Sequence, residues 1–168
     1  MSKAVLISIR PKWCEKIVNG DKTIEVRKTR PKMNTPFKCY IYCTLPKYPH
    51  EDFIATDYPM PQFYGGGKVI GEFTCERIAL IAYDGGELSS TTNAAFSPAT
   101  CLTQSEIIAY IGDEGRCYGW HMSNLRIYDT PRELSEFTGL RDTRFGAAPY
   151  DIKRAPQSWC YVEEVRVR

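Results

Sequence analysis

The sequence lacks any apolar run near the about 20 residues that a membrane-spanning helix needs, so we expect no membrane partner. It also lacks the apolar core of a signal peptide, because only six apolar or small residues separate Lys3 from Arg10. That length is typical of a strand. The opening residues are therefore predicted to belong to the fold.

Paired cysteine motifs and clustered histidines are absent too. The seven cysteines are odd in number and irregularly spaced, no Cys-x-x-Cys occurs, and the two histidines, His50 and His121, lie far apart. This usage favours reduced thiols in a cytoplasmic protein over a disulfide framework. We expect a cytoplasmic localisation and no metal site, since zinc could bind only by long-range assembly of these residues.

No cofactor motif is present either. The triple glycine at 65–67 precedes Lys68, but neither the Walker spacing nor a following helix is there to form a phosphate cradle. The sequence therefore predicts no cofactor.

The chain does have the length of one domain and an uneven distribution of charge. Its 168 residues, 43% apolar and 25% charged, suit a single globular domain with long loop insertions near 46–66 and 84–101. Residues 1–32 carry nine Lys and Arg against three acids, although the whole chain is only +2. A basic N-terminal part attracts anionic partners, of which nucleic acid is the commonest.

The predicted fold begins with a strand, a helix and a second strand. Residues 4–10 predict a strand buried on both faces over most of its length. Pro11 suits a first helical residue, and an apolar stripe from Trp13 to Val18 predicts a short helix that Gly20 ends.

The second strand carries charge. Ile24 and Val26 alternate with Glu25 and Arg27, so the two charged residues share a face, and Lys22 can reach the same side from the preceding turn. One interpretation is an exposed ion pair worth about 0.2–1 kcal/mol. The other is a ligand site at the strand end.

The rest of the sequence predicts an α+β fold. Strands are expected at 37–44, 68–83, 116–128 with an interruption near Asn124, and 157–162; a capped helix at 103–111; and a helical turn around Leu134 and Phe137. Residues 139–155 are predicted to be a polar loop. Several strands at short spacing with few short helices indicate a mixed, mostly antiparallel sheet or small β-barrel.

The stretch Gly20-x-Lys22-x-x-Glu25-x-Arg27 resembles the signature of the ASCH domain family, a relative of the PUA fold. Further likeness lies in residues 69–73, 118–131 and 156–162. The resemblance covers most of the chain apart from the two long loops.

This resemblance implies a small PUA-like β-barrel with short flanking helices and a cleft into which the signature strand projects. It also implies RNA binding in connection with transcription or translation. Some small relatives hydrolyse acetylated cytidine instead, using a Lys and a Thr nucleophile on this strand and a Glu elsewhere, and nuclease activity has been proposed within the family.

One position departs from the hydrolase pattern. Glu25 stands where those hydrolases have the Thr nucleophile. Thr23 is on the same strand face but about 6–7 Å along the strand, so it does not simply substitute. A carboxylate between Lys22 and Arg27 is better suited to orienting donors, or to accepting hydrogen bonds from a base edge, than to attacking an amide.

We therefore predict a module that binds single-stranded RNA or a nucleotide in a basic cleft. Lys22 and Arg27 would contact phosphate, Glu25 would hold these cations or read a base edge, and Trp13 would stack on a base. The expected ligand-binding residues are Ser8, Arg10, Lys12, Trp13, Lys22, Glu25, Arg27 and Ser158, with Lys28 extending the basic rim.

Two alternatives stay open at this point. The first is a metal-independent hydrolase of N4-acylated cytidines, or a ribonuclease, with Lys22 as base, Glu25 as acid or orienting group, and Thr23 or Ser158 as a secondary polar group. The second is a protein-interaction module in which Glu25 and Arg27 only stabilise the end of the barrel. The sequence does not indicate an oligomeric state.

Overall fold

The computed structural model describes residues 2–46 and 65–165, which form two compact units. The first unit contains residues 2–15, 38–46, 65–73 and 125–165, and the second contains residues 16–37 and 74–124. Most of the predicted insertion at 46–66 lies outside the described residues. The prediction of a single domain stays a prediction.

Two short α-helices and nine strands make up the regular structure of the described residues. The helices are α1 (Pro11–Val18) and α2 (Gln104–Ile111). The strands are β1 (Lys3–Ile9), β2 (Ile24–Arg27), β3 (Phe37–Cys43), β4 (Lys68–Asp84), β5 (Glu87–Ser90), β6 (Arg116–Arg132), β7 (Thr138–Thr143), β8 (Gly146–Asp151) and β9 (Trp159–Glu163). Short 3-10 helices lie at Ala94–Phe96, Pro98–Thr100, Gly112–Glu114 and Leu134–Glu136.

Strand β1 is central to the first unit, as its apolar sequence predicts. It pairs in parallel with β3 and antiparallel with β9, and Ala4–Ile9 is buried throughout. The hydrogen-bonded order continues from β9 to β7 and β8. The core of this unit consists of Ala4, Leu6, Tyr40, Tyr42, Val69, Tyr128, Phe137, Ile152 and Val162.

The second unit is built on the antiparallel pair of β2 and β6. In its register Glu25 lies opposite Trp120 and Arg27 opposite Tyr118. Strand β5 adds to β4 in a hairpin. The core consists of Ile24, Val26, Ala79, Ile81, Ala94, Ala95, Ile107, Ile111 and Cys117.

These pairings confirm the α+β class and the mixed, mostly antiparallel sheet, in which β1 with β3 is a parallel pair. Strands β4 and β6 each contribute residues to both units. In neither unit do the strands of the described residues close on themselves into a barrel.

The prediction of a polar loop at 139–155 is wrong. Strands β7 and β8, with six residues each, form an antiparallel hairpin there, in which Gly139 lies opposite Tyr150. All six residues of β8 are exposed or only half-buried, so the strand lacks the buried apolar alternation on which the sequence prediction depended. Its stability comes from pairing with β7, which a local pattern does not show.

The segment 84–101, predicted as a loop, contains β5 and two of the 3-10 helices. Gly85 and Gly86 both have positive φ, 57° and 82°, which a two-residue turn of type I′ requires between paired strands. Strand β6 continues through Asn124, the expected interruption, although Asn124 has a left-handed φ of 51° within the strand. The expected turn near Leu134 is the 3-10 helix Leu134–Glu136.

Two further expectations concerned reduced cysteines and the lack of a membrane-spanning helix. All seven cysteines are free thiols, five of them buried, whereas Cys101 and Cys160 are partly exposed. No helix within the described ranges is both long and apolar enough to cross a membrane.

Candidate functional site

The signature stretch is positioned by the end of α1. The backbone N–H of Gly20 donates to the carbonyl of Ile17 at 3.1 Å, and Gly20 has a φ of 87°, which lets the chain reverse at that point. The N–H of Lys22 then donates to the carbonyl of Lys16 at 3.0 Å. The turn therefore brings Lys22 back beside the last turns of the helix before β2 begins.

Lys22 is buried, with only 2% of its side chain exposed. Its Nζ donates a 2.6 Å hydrogen bond to the carbonyl oxygen of Thr100 and lies 3.9 Å from Oε2 of Glu25. Burial lowers the pKa of Lys22, while the Glu25 carboxylate acts in the opposite direction. The geometry suits Lys22 to holding Glu25 more than to reaching a phosphate in solvent.

Glu25 is also buried, although the alternation in the sequence placed it on an open face. Its residue exposure is 6%, and it lies opposite the fully buried Trp120, whose ring packs edge-on against Phe37 at 5.9 Å. Its Oε1 accepts a hydrogen bond from Nε of Arg27 at 3.3 Å. This face of β2 is therefore covered by residues that are far away in the sequence.

The second carboxylate oxygen of Glu25 has no hydrogen-bond donor within the part of the chain that the structure describes. Lys22 Nζ, at 3.9 Å, is beyond hydrogen-bond distance. An unsatisfied buried acceptor costs about 1–3 kcal/mol. Such an atom requires an explanation, and one explanation is a donor supplied by a ligand.

The cluster depends on a segment that the sequence did not indicate. The short helix Pro98–Thr100 is capped by Ser97, whose Oγ accepts from the N–H of Ala99 at 3.2 Å. It places the Thr100 carbonyl at Lys22, and Cys101 follows with a left-handed φ of 57°. The only local signal is the Ser-Pro start of the short helix, which does not indicate where its carbonyls point.

Thr23 anchors the same stretch through its backbone. Its N–H donates to the carbonyl of Ala99 at 3.0 Å, and its carbonyl accepts from Met122 at 2.9 Å. Thr23 itself is exposed to solvent. The structure thus gives Thr23 a place at the surface beside the buried pair of Lys22 and Glu25.

An open groove is lined in large part by the loop that directly follows β2. It has a volume of about 790 Å³ and is lined by Lys28, Thr29, Arg30, Pro31, Lys32, Met33, Asn34, Glu114, Arg116 and Tyr118. Because Tyr118 lies opposite Arg27 in the antiparallel pair, the two side chains belong to the same face of the sheet. The sequence indicated Lys28 as part of a basic rim, but not Arg116 or Tyr118 as groove residues.

The remaining predicted site residues belong to the first unit. The Ser8 hydroxyl is buried and donates to the carbonyl of Pro156 at 2.6 Å, and the Ser8 N–H donates to the carbonyl of Ser158 at 2.9 Å. Arg10 and Lys12 are exposed, and Lys12 Nζ lies 4.4 Å from the centre of the Trp13 ring. The structure thus groups Ser8 with Ser158, and Lys12 with Trp13.

The described residues contain no group of three or more His, Cys, Asp or Glu side chains that could hold a metal ion. His121 is instead hydrogen-bonded through Nε2 to the Thr92 hydroxyl at 2.9 Å. Its pKa is lowered by burial and by Arg77, against an opposing effect of Glu76.

Comparison with solved structures identifies the fold. A crystal structure of ASCH from Zymomonas mobilis matches at a TM-score of 0.59 and 19% identity, covering 96% of this chain and 88% of that one. The chain has the ASCH fold. A crystal structure of a mutant of the same protein matches the ASCH fold of this chain at a TM-score of 0.56 and 17% identity, covering 97% and 92% of the two chains.

The resemblance seen in the sequence is thereby confirmed at the level of the fold. No family model matches the chain, and no curated protein sequence matches it. A fold shared at this identity does not transfer an activity. The function of this ASCH fold has to be argued from its own residues.

Proposed function

We propose that this chain binds single-stranded RNA or a nucleotide at the charge cluster, defined as Lys22, Glu25 and Arg27. The observation that carries the proposal is the buried Glu25 Oε2, which lacks a hydrogen-bond donor among the described residues. Exocyclic amino groups and ring N–H groups of nucleobases are donors of the kind that this oxygen would accept. A base edge would therefore complete the hydrogen bonding of the cluster.

The other two members of the cluster have complementary roles in this proposal. Arg27 holds Oε1 at 3.3 Å, which leaves the buried Oε2 as the carboxylate oxygen without a hydrogen-bond donor among the described residues. The Lys22 side chain donates a hydrogen bond to the Thr100 carbonyl and lies 3.9 Å from Oε2 of Glu25, so its positive charge complements the carboxylate. The side chain of Arg27 is 14% exposed, which gives the cluster a cationic edge for a phosphate.

The proposal is tested by titrating nucleoside monophosphates and short unstructured RNAs at low salt with the wild type and Glu25→Gln. Exchanging the acceptor oxygen for an NH₂ group places donor against donor, so we expect affinity to fall by about tenfold or more. Glu87→Gln, an exposed carboxylate in β5, is the matched control. Equal affinity of Glu25→Gln and the control, or no binding by the wild type, would overturn the proposal.

A hydrolase is the second candidate, and the observation that favours it is the lowered pKa of the buried Lys22. A lysine whose pKa is lowered by burial gives up its proton more readily and can then act as a base. Glu25 would then orient the substrate or donate a proton. Turnover of N4-acetylcytidine or labelled RNA that is lost in Lys22→Met would support this candidate, and an equal background rate for both proteins would exclude it.

A further inference from the structure

The groove beside the charge cluster is strongly basic. It has four cationic side chains, Lys28, Arg30, Lys32 and Arg116, and one carboxylate, Glu114. All five residues are exposed. Its volume of about 790 Å³ lies within the about 300–1,000 Å³ that ligand clefts occupy. The excess of positive charge on a concave surface favours an extended anion.

The loop that forms one wall of the groove is held by its own contacts. The Arg30 guanidinium donates to the carbonyls of Pro31 at 3.4 Å and Met33 at 3.3 Å. Lys28 Nζ lies 4.0 Å from Glu114 and 5.4 Å from the centre of the Tyr110 ring. The groove is thus an ordered surface, in which Glu114 offsets part of the charge of Lys28.

An aromatic ring joins the groove to the charge cluster. Tyr118 lines the groove and is the cross-strand partner of Arg27. Arg27 is two residues from Glu25 on β2, a separation of about 6–7 Å along the strand. A chain bound with one base at Glu25 can therefore continue past Arg27 onto Tyr118 without leaving this face of the sheet.

We propose that the groove binds the phosphodiester backbone of single-stranded RNA, with one base stacked on Tyr118, as an extension of the site at Glu25. Proteins that bind single-stranded nucleic acids combine Lys and Arg side chains along a groove with interleaved aromatic rings. The polar Thr29 and Asn34 add hydrogen-bonding groups to the same wall. The inference rests on the proposed function for its first nucleotide, but the backbone contacts are separable from it.

The test compares a fluorescent RNA of about 12 nucleotides, within the site sizes of single-strand binders, with a mononucleotide. Lys32→Ser combined with Arg116→Ser removes two groove cations and leaves Arg30 in its loop. Lys153→Ser combined with Arg154→Ser removes two exposed cations from the first unit and is the matched control for net charge.

We expect the groove variant to bind the long RNA about tenfold or more weakly and to lose about 1.4 from the slope of log affinity against log salt, since each contact to a single strand contributes about 0.7. Mononucleotide binding should not change. Glu114→Gln should strengthen binding of the long RNA, and Tyr118→Leu should weaken it at least about fivefold with little change in salt slope.

The outcomes separate the two proposals. If the groove variant and its charge-matched control bind the long RNA equally, the groove proposal is overturned, whatever the mononucleotide does. If no mononucleotide binds but the long RNA still responds to the groove variant, the groove proposal stands and the proposed role of Glu25 fails. Competition by polyglutamate as effective as that by RNA would indicate an acidic protein partner and overturn the groove proposal.

Discussion

The Lys22 ammonium donates a 2.6 Å hydrogen bond to the carbonyl oxygen of Thr100, 78 residues later in the chain. Both residues are buried, so this contact ties the turn after α1 to the short helix Pro98–Thr100 in the interior of the second unit. Removing Lys22 from the charge cluster therefore also removes the hydrogen-bond donor of the Thr100 carbonyl.

The first prediction concerns that buried ammonium. Lys22→Met should lower the free energy of unfolding by about 3 kcal/mol, because it leaves the buried Glu25 carboxylate with Arg27 alone and the Thr100 carbonyl without its donor. Urea denaturation of the variant measures the change. Lys16→Met removes a lysine whose side chain is 49% exposed and is the control, with an expected change below about 0.5 kcal/mol.

A double variant refines this prediction. Lys22→Met combined with Glu25→Gln also removes the buried negative charge that Lys22→Met leaves with Arg27 alone, so it should lose less stability than the two single changes added together. Strict additivity would show that the two groups do not interact, contrary to their separation of 3.9 Å.

The second prediction concerns the hairpin of β7 and β8. A Cβ added at Gly139 would overlap the ring of Tyr150, its cross-strand partner. Gly139→Ala should therefore cost about 1–3 kcal/mol, since the ring must move. Calorimetric unfolding measures the loss. Adding Tyr150→Leu removes the ring, so the double variant should lose less stability than the two single changes added together. If the two losses simply add, the ring is not the cause.

The third prediction is a dependence on acid pH. Burial and Arg77 lower the pKa of His121 below its value of 6.5 in an unfolded chain, so the unfolded state binds the proton first. Stability should fall as pH falls below about 6.5. Urea titrations from pH 7.5 to 5 should show a shallower decline in His121→Gln. Parallel curves for the two proteins would show that His121 does not contribute.

The fourth prediction concerns alkaline pH. Burial raises the pKa of the Cys75 thiol from 9.0 to about 12. Above pH 9 the unfolded chain therefore loses this proton while the folded protein keeps it, so stability falls between pH 9 and about 12. Lys22, with its lowered pKa, acts in the opposite direction. Cys75→Ala should flatten the alkaline decline measured by urea denaturation, and an unchanged slope would contradict the prediction.

The elements that the sequence predicted well are those that local patterns specify. The apolar run of β1 predicts its burial, and Pro11 and Gly20 mark the two ends of α1. Helix α2 begins with a capping box in which Thr103 and Glu106 form reciprocal hydrogen bonds. Hairpin β7–β8 lacks such a pattern, because its strands are held by pairing rather than by a buried apolar stripe.

The candidate site shows the same limit more sharply. Alternation in β2 placed Glu25 and Arg27 together on one face, as the structure has them, but it also placed that face in solvent. Glu25 is buried there opposite Trp120, and only the register of β2 with β6 makes that pairing. Tyr118 reaches the groove by the same long-range register, and Arg116 lines the groove two residues earlier on β6. No local pattern in residues 20–27 contains this information.

The partly exposed Cys101 offers a spectroscopic handle on this site. It follows Thr100, whose carbonyl holds Lys22, whereas five of the seven thiols are buried. In a Cys160→Ser background, a thiol-reactive dye would be directed to Cys101 among the described residues. Its emission would then report, from one residue away, whether an added nucleotide disturbs the carbonyl that positions the charge cluster.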